Sequence, residues 1–193
     1  MRSALALASL ALASLALAPT PASAFEPDDP DAYANTALPL LDQVLANDPQ
    51  LAAIFSEVHR RDHFVPVGQG RTLHVIESWS LRSLLRWPRR AAVSMSGPIT
   101  NADILDVEIE GYDMGARFAA RGYFHYAVDP LGHGDSTHPA DGSTLTVDVQ
   151  VAPAKKVLQF ARARSKAAKI DLVSESTGGA VSLMLAQYPQ LVR

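Results

Sequence analysis

The chain has 193 residues, no cysteine and a formal net charge of −3, and 48% of its residues are hydrophobic. A chain of this size forms roughly one domain and can bury a real core. The lack of cysteine excludes disulfides and a lipoprotein anchor, and the mildly acidic balance gives no reason to expect nucleic acid or an anionic membrane as a partner.

Residues 1–24 have the composition of a secretory signal peptide. Arg2 provides a short positive start, Ala4–Ala18 is apolar apart from serines, and Ala22–Ala24 has the small-x-small form of a cleavage site. The apolar run is shorter than the roughly 18–20 residues that span a bilayer, and the chain lacks a twin-arginine pair. We therefore expect Sec-dependent export to the periplasm or the outside and no stable membrane anchor; an uncleaved anchor is the alternative.

Residues 25–62 are predicted to form a helical N-terminal extension. After a proline- and aspartate-rich start, apolar residues recur at helical spacing around Leu41 and Leu45, and Asp48-Pro49 begins a second helix that includes Phe55. We expect two short amphipathic helices packed on the outside of a larger unit.

Residues 63–193 are predicted to form an α/β core, because short apolar runs alternate with helical patterns. The predicted elements are a hairpin around Gly68–Gly70, a basic connector at 81–90, a strand at 91–97, a helix that Gly122 ends in a left-handed cap, a strand at 123–129, a loop at 130–143, a helix containing Val151 and Ala161, a strand at 169–174 and a helix at 178–188. Continuous apolar strands favour a mostly parallel sheet with helices on both faces.

Ser176, in the sequence SESTGG, lies between the last predicted strand and the last helix. A nucleophile elbow needs this context: the serine stands on a sharp turn, and the residues two positions before and after it must be small. Ser174 and Gly178 meet that requirement, and the helix start would direct the Thr177 N–H at the reaction site. The alternative is that Ser176 only caps the helix.

Two upstream segments resemble motifs of the α/β-hydrolase superfamily. The loop Asp129–Ser136, DPLGHGDS, closely resembles the family's D-x-x-G-x-G-x-S loop, with Gly132 and Gly134 as its glycines. Ser96-Gly97-Pro98 falls where the family carries a His-Gly oxyanion motif after its third strand. The resemblance covers about residues 64–193 and depends on the order and spacing of three motifs.

The resemblance implies an α/β-hydrolase fold and a serine hydrolase. In that reaction Ser176 attacks an acyl carbon, a histidine takes its proton and an acid orients the histidine. The resemblance also implies that Thr177 N–H is one oxyanion donor, and that Gly97, Gly178 and Gly179 shape the oxyanion loop and the elbow.

The chain departs from the family at several positions. Ser174 replaces the usual glycine of the elbow, and Ser96 replaces the usual histidine of the oxyanion loop. Pro98 has no N–H where the family usually has a donor. We therefore expect the second oxyanion donor to come from elsewhere, with the Ile99 N–H as the candidate.

Catalytic partners for Ser176 are not found after it. All six histidines precede Ser176, and residues 177–193 contain no Asp, Glu or His, whereas the family order is serine, acid, histidine. We expect the chain to be the N-terminal, inactive portion of a longer hydrolase; completion by a second polypeptide is the alternative. His133 and His138 are expected to be loop or substrate contacts rather than catalytic bases.

Other candidate sites are weaker. His59 and His63 have the i, i+4 spacing of a zinc-protease helix, but Arg60 occupies the position that would need a glutamate. The arginines around Trp87 are expected to form a solvated connector. No dinucleotide or phosphate-binding glycine loop follows from the sequence, so we expect no cofactor and no metal.

The leading hypothesis is an exported serine hydrolase that acts on small carboxylester or lipid-like ester substrates. An amide or peptide hydrolase and a non-catalytic α/β-hydrolase-like binding protein are the alternatives. The sequence leaves the individual substrate, any cap domain and the oligomeric state open.

Overall fold

The computed structural model describes residues 30–97, 99–107, 109 and 111–193, and for residues 30–38 it describes only the backbone. The predicted signal peptide, residues 1–24, and the predicted effect of Pro98 therefore lie outside the described residues. Within the described part of the chain, no helix combines the length and apolar character that crossing a membrane requires.

Among the described residues, two helices precede the sheet: α1 (Pro30–Asn47) and α2 (Pro49–Ser56). The Asp48 side chain accepts a hydrogen bond from the Leu51 N–H at 3.0 Å and caps α2. A small apolar cluster joins the two helices and touches Leu81; its buried members are Leu41, Leu45, Leu51 and Phe55.

The first strand, β1 (His59–Gly68), begins before the predicted boundary at residue 63. Residues 59–62 pair with β2 (Arg71–Trp79), with His59 opposite Trp79, so the prediction that they end the helical extension is wrong. An edge strand can be largely solvated and needs no apolar alternation, which is why these polar residues carry no strand signal.

In the part of the chain that the structure describes, the sheet has five strands in the order β1-β2-β4-β3-β5. The strands that follow the hairpin are β3 (Arg90–Met95), β4 (Tyr123–Val128) and β5 (Ile170–Ser174). β3 lies between β4 and β5 and pairs with both in parallel, while β2 pairs with β1 and β4 antiparallel. The carboxyl ends of the three parallel strands therefore meet at one edge of the sheet.

Helices cover both faces of this sheet, as the sequence predicted. The basic connector contains a short helix, α3 (Leu81–Leu85). The remaining helices are α4 (Met114–Ala120), α5 (Val147–Ser165) and α6 (Ser176–Leu185), with 3-10 turns at Ala102–Leu105 and Gly142–Thr144. The main core lies under α5 and α6 and includes Tyr126, whereas Ala127 belongs to a separate cluster with Leu105 and Met114. This division follows from the alternation of side chains along β4.

The sheet continues on the outer side of β5. Val192 forms a parallel bridge with Ile170, and the Ile170 N–H donates to the Leu191 carbonyl oxygen at 2.8 Å. The residues after α6 therefore return to the sheet beside β5.

Candidate active site

Ser176 lies on a sharp turn between β5 and α6, with only Glu175 between the two elements. Its φ is +52°, in the left-handed region that a residue other than glycine rarely adopts, and its side chain is exposed. Such a conformation costs of the order of 1–3 kcal/mol and is concentrated at functional sites. The N-cap residue of α6 is Glu175, and no side chain caps the helix, so the interpretation of Ser176 as a helix cap is wrong.

The residues two positions either side of Ser176 are closely packed, as an elbow requires. A Cβ atom at Gly178 would lie 2.4 Å from the Met95 carbonyl oxygen, whereas a Cβ at Gly179 would meet nothing within 4 Å. The Ser174 hydroxyl is hydrogen-bonded to that of Ser182 at 2.5 Å. Of the two predicted elbow glycines, only Gly178 is therefore required sterically.

The end of β3 lies directly against the elbow. A Cβ atom at Gly97 would lie 3.1 Å from Ser176 Oγ, so the absence of a side chain at Gly97 leaves space beside the nucleophile oxygen. Thr177 lies in the first turn of α6, where an N–H has no acceptor within the helix. Ile99 has a 93% exposed side chain in the segment that follows Gly97.

Ser96 is buried at the position where the family usually has histidine. Its side-chain oxygen has no hydrogen-bond partner among the described residues. A buried hydroxyl without a partner costs about 1–3 kcal/mol. The substitution is evident from the sequence, whereas the orphaned hydroxyl is evident only from the fold.

Asp129 organises the loop that follows β4. One carboxylate oxygen accepts the Ala102 N–H at 2.5 Å; the other accepts the Asp135 N–H at 2.8 Å and lies 2.9 Å from His74 Nδ1. The Ser136 hydroxyl donates to the Asp129 carbonyl oxygen at 2.7 Å. Asp129 and Ser136, the first and last residues of the DPLGHGDS motif, thus join the two ends of the loop by hydrogen bonds.

The two glycines of this loop are both needed for its shape. Gly132 and Gly134 have φ values of +83° and +52°. A Cβ at Gly134 would lie 2.0 Å from a carboxylate oxygen of Asp129, and one at Gly132 would lie 2.3 Å from Leu145. Both glycines therefore have a steric role in the loop.

A cavity of about 260 Å³ opens beside the elbow, between the carboxyl ends of β3 and β4 and the helices α5 and α6. Apolar side chains form most of its wall, and Gly97, Thr177 and Gly178 form the rim nearest the nucleophile. The apolar lining residues include Leu73, Met95, Val128, Leu145, Ala154 and Val181, and the polar ones include Ser96, His133 and Gln150. An apolar cavity with a few polar groups is typical of a small-molecule site.

The two loop histidines differ in position. His133 lines the cavity and its Nδ1 lies 3.2 Å from the Leu131 carbonyl oxygen, whereas His138 is exposed and its Nε2 lies 2.9 Å from the Gly134 carbonyl oxygen. The prediction that they are loop or substrate contacts therefore has structural support at His133.

Several buried polar groups lie outside this site. His125 bonds Ser94 at 2.7 Å and stacks on Phe118, and burial lowers its pKa to about 4. Burial alone would lower the pKa of His74, but hydrogen bonds to Asp129 and Asp62 raise it above its ordinary value.

A second buried group surrounds a carboxylate of β2. Glu77 is 1% exposed and bonds His63, Tyr126 and Arg164. Burial and the neighbouring Glu77 carboxylate raise the pKa of the Tyr126 hydroxyl. Sequence reasoning missed this network because its members come from four separate elements.

Metal ligands do not cluster in the described residues: no group of three or more His, Asp or Glu side chains is placed to hold an ion. His59 and His63 lie on the strand β1 rather than at a helix end. The i, i+4 spacing of a zinc-protease helix therefore does not apply to them, since alternation along a strand sets their positions.

Comparison with known proteins agrees with this geometry. The family model described as alpha/beta hydrolase fold matches residues 101–193, which contain the Asp129 loop and the Ser176 elbow. This match and the shared fold support a member of the α/β-hydrolase superfamily. No curated protein matches the chain.

Solved structures share the fold at low sequence identity. An epoxide hydrolase from Vigna radiata superposes with a TM-score of 0.52 at 19% identity, over 72% of this chain and 38% of that chain. The 2-hydroxy-6-oxo-6-phenylhexa-2,4-dienoate hydrolase from Rhodococcus sp. strain RHA1 gives 0.52 at 22% identity, over 70% and 44%. An α/β hydrolase from Novosphingobium aromaticivorans gives 0.54 at 18% identity, over 69% and 41%.

These structural similarities confirm the α/β-hydrolase fold and give no information about activity or substrate. The chain spans less than half the length of each of these structures. The catalytic roles expected of Ser176, Thr177 and Ile99 stay predictions.

Proposed function

We propose that this α/β-hydrolase is a serine hydrolase that cleaves small carboxylester or lipid-like ester substrates through an acyl-enzyme at Ser176. The observation that carries the proposal is the positive φ of Ser176, at a strand–helix turn whose hydroxyl lies beside Gly97. A strained, exposed serine in this setting has no evident structural purpose, because no side chain caps the helix that it begins.

The proposed reaction has two steps. Ser176 Oγ attacks the acyl carbon, its proton passes to a histidine and then to the leaving alcohol, and the ester bond is replaced by an acyl–serine bond. Water then hydrolyses that bond. The oxyanion that forms in each step would accept hydrogen bonds from the Thr177 N–H and, as the second donor, the Ile99 N–H.

The histidine and the acid of this reaction must come from outside residues 177–193, which contain neither.

The chemistry of a hydroxyl nucleophile favours acyl substrates over epoxides. Attack of a serine oxygen on an epoxide carbon would give an ether, which water does not readily cleave, so the enzyme would not turn over. Attack on an ester gives a new ester, which the same oxyanion donors help to hydrolyse. The epoxide hydrolases among the structural neighbours are therefore a guide to the fold and not to the substrate.

Two alternatives remain from the sequence. An amide or peptide substrate uses the same acyl-enzyme chemistry. A non-catalytic binding protein is favoured by the substitutions Ser96 and Pro98, which alter the oxyanion loop.

We also propose that the protein is exported, on the evidence of residues 1–24 alone. Cleavage after Ala24 predicts a mature N-terminus at Phe25. Sequencing the N-terminus of protein recovered from the periplasm or the medium tests this, and recovery of the intact N-terminus in the cytoplasm would contradict it.

A substrate panel tests the activity. The full-length protein is assayed with p-nitrophenyl esters of increasing acyl length, a p-nitroanilide and a styrene-type epoxide. We expect ester turnover that Ser176→Ala abolishes and that Ser56→Ala, a change at an exposed helix residue, leaves unaltered. Turnover of the anilide or the epoxide in preference to the esters would contradict the proposed substrate class.

A further inference from the structure

We propose that Glu175 is a positioning residue: its carboxylate holds the start of the oxyanion loop against the nucleophile elbow. This proposal rests on the proposed function of Ser176. The Gly97 N–H donates to Glu175 Oε1 at 2.6 Å, across 78 residues of sequence. A bond of this length to a carboxylate is typical of a strong, charge-assisted hydrogen bond.

Glu175 could instead have capped its own helix. It is the N-cap residue of α6, a position from which a polar side chain can accept an N–H of the first helical turn. The structure shows no such cap bond. The Glu175 carboxylate therefore accepts no hydrogen bond from the N–H groups of the first helical turn, and the Thr177 N–H is one of these.

The backbone of Glu175 contacts the same strand end as its side chain. Its N–H donates to the Met95 carbonyl oxygen at 3.3 Å, while its carboxylate accepts from Gly97. The two bonds join the last residue of β3 and the beginning of the oxyanion loop to the residue just before the nucleophile. Together they fix the distance between the loop and Ser176.

The Glu175 carboxylate and the side chain of Ser176 both lie close to Gly97. A Cβ atom built there would lie 2.9 Å from Glu175 Oε1, 3.0 Å from Ser176 Cβ and 3.1 Å from Ser176 Oγ. The carboxylate oxygen and the nucleophile oxygen thus approach the same small volume. The Gly97 N–H is occupied by Glu175, so its role is to anchor the loop rather than to bind the oxyanion.

The expected consequence is a loss of rate without a loss of substrate affinity when the anchor is removed. Donors to an oxyanion act mainly in the transition state, and a displacement of about 1 Å can cost about 100-fold in rate. An acceptor without charge, such as the amide oxygen of glutamine, can still take the Gly97 N–H. Glu175→Ala therefore removes both the hydrogen bond to Gly97 and the negative charge, whereas Glu175→Gln removes only the charge.

The test compares Glu175→Ala with Glu175→Gln in the full-length protein, using ester turnover. We expect Glu175→Ala to lower kcat about 10- to 100-fold with KM changed less than about twofold. Glu175→Gln should keep kcat within about threefold of the wild type. Glu57→Ala, the same change at an exposed helix end, is the matched control and should have no effect. Wild-type kcat in Glu175→Ala, or equal losses in both Glu175 variants, would overturn the proposal.

A second measurement does not depend on activity. Amide hydrogen exchange of Gly97, followed by NMR, should be faster in Glu175→Ala than in the wild type and in Glu175→Gln. Unchanged exchange at Gly97 would overturn the proposed anchor even if the protein proved to have no esterase activity. Failure of the wild type to turn over any ester, with exchange altered as expected, would instead count against the proposed function alone.

Discussion

Gly178 packs backbone to backbone against Met95: a Cβ atom at Gly178 would lie 2.4 Å from the Met95 carbonyl oxygen and 2.7 Å from that of Ser96. This contact sets how closely α6 approaches the end of β3, and it brings the nucleophile elbow beside the oxyanion loop. Neither carbonyl can move away without shifting the strand.

The contact predicts that Gly178→Ala is destabilising. We expect a loss of about 1–3 kcal/mol in the free energy of unfolding, from overpacking, together with reduced reactivity of Ser176. Urea unfolding followed by circular dichroism measures the first effect.

Gly179→Ala is the matched control, because a Cβ there would meet nothing within 4 Å. Alanine is favoured over glycine inside a helix, so this variant should be unchanged or more stable by up to about 1 kcal/mol. Equal destabilisation by both substitutions would contradict the packing described for Gly178.

Asp129→Asn should open the loop after β4. The carboxylate accepts the N–H groups of Ala102 and Asp135 and contacts His74, and an amide nitrogen in place of one oxygen cannot accept. We expect a loss of about 1–3 kcal/mol, the cost of a buried donor without a partner. Thermal or urea unfolding measures it.

The control for this prediction is Asp135→Asn, at an exposed side chain of the same loop. It should change the free energy of unfolding by less than about 0.5 kcal/mol. A similar loss in both variants would show that the loop depends on its overall charge and not on the bonds to Asp129.

The burial of His125 predicts that the free energy of unfolding falls in acid. Its folded pKa is lowered by burial from 6.5 to about 4, so between these pH values the unfolded chain binds more protons than the folded one. Stability from this group is therefore complete above about pH 6.5 and is lost as the pH falls towards 4, by roughly 3 kcal/mol in total.

Urea unfolding at pH 7, 5.5 and 4.5 tests this, with His125→Gln as the comparison. The variant should have a shallower pH dependence than the wild type. His74 has a raised pKa and contributes stability that is lost as the pH rises, but it is present in both proteins, so its effect cancels in the comparison. Parallel pH profiles for wild type and variant would contradict the account of His125.

Ser96→Ala removes a buried hydroxyl that has no partner in the described part of the chain. We expect the free energy of unfolding to stay the same or to rise by up to about 1 kcal/mol. Ser136→Ala makes the same change at a buried hydroxyl that bonds both His74 and Asp129, and it should cost about 1–3 kcal/mol. Thermal unfolding distinguishes the two, and a larger loss for Ser96→Ala would contradict the description of its environment.

Much of the fold after residue 63 could be predicted, because the buried strands read as continuous apolar runs. Gly122 ends α4 with a φ of +75°, as its position before Tyr123 indicated. The sequence predicts a strand that ends at residue 174 and a helix from residue 178, and the φ of Ser176, which lies between them, is +52°. Local sequence is sufficient for features that local sterics determine.

The rest could not be predicted, because it depends on contacts between distant residues. The start of β1 was missed since His59–Asp62 are polar and lack apolar alternation, and only the fold pairs them with β2. Glu175 has no assigned role in the sequence, because only the folded sheet brings the Gly97 N–H within its reach. The orphaned Ser96 hydroxyl likewise depends on what the fold places around it.

Labelling of Ser176 tests the central claim most directly. The full-length protein is treated with a fluorophosphonate probe, digested, and the modified peptide is identified by mass spectrometry, with Ser176→Ala and Ser56→Ala treated in parallel. We expect a single modification at Ser176 in the wild type and in Ser56→Ala, and none in Ser176→Ala. Absence of labelling in correctly folded full-length protein, or labelling that persists in Ser176→Ala, would contradict the assignment of Ser176 as the nucleophile.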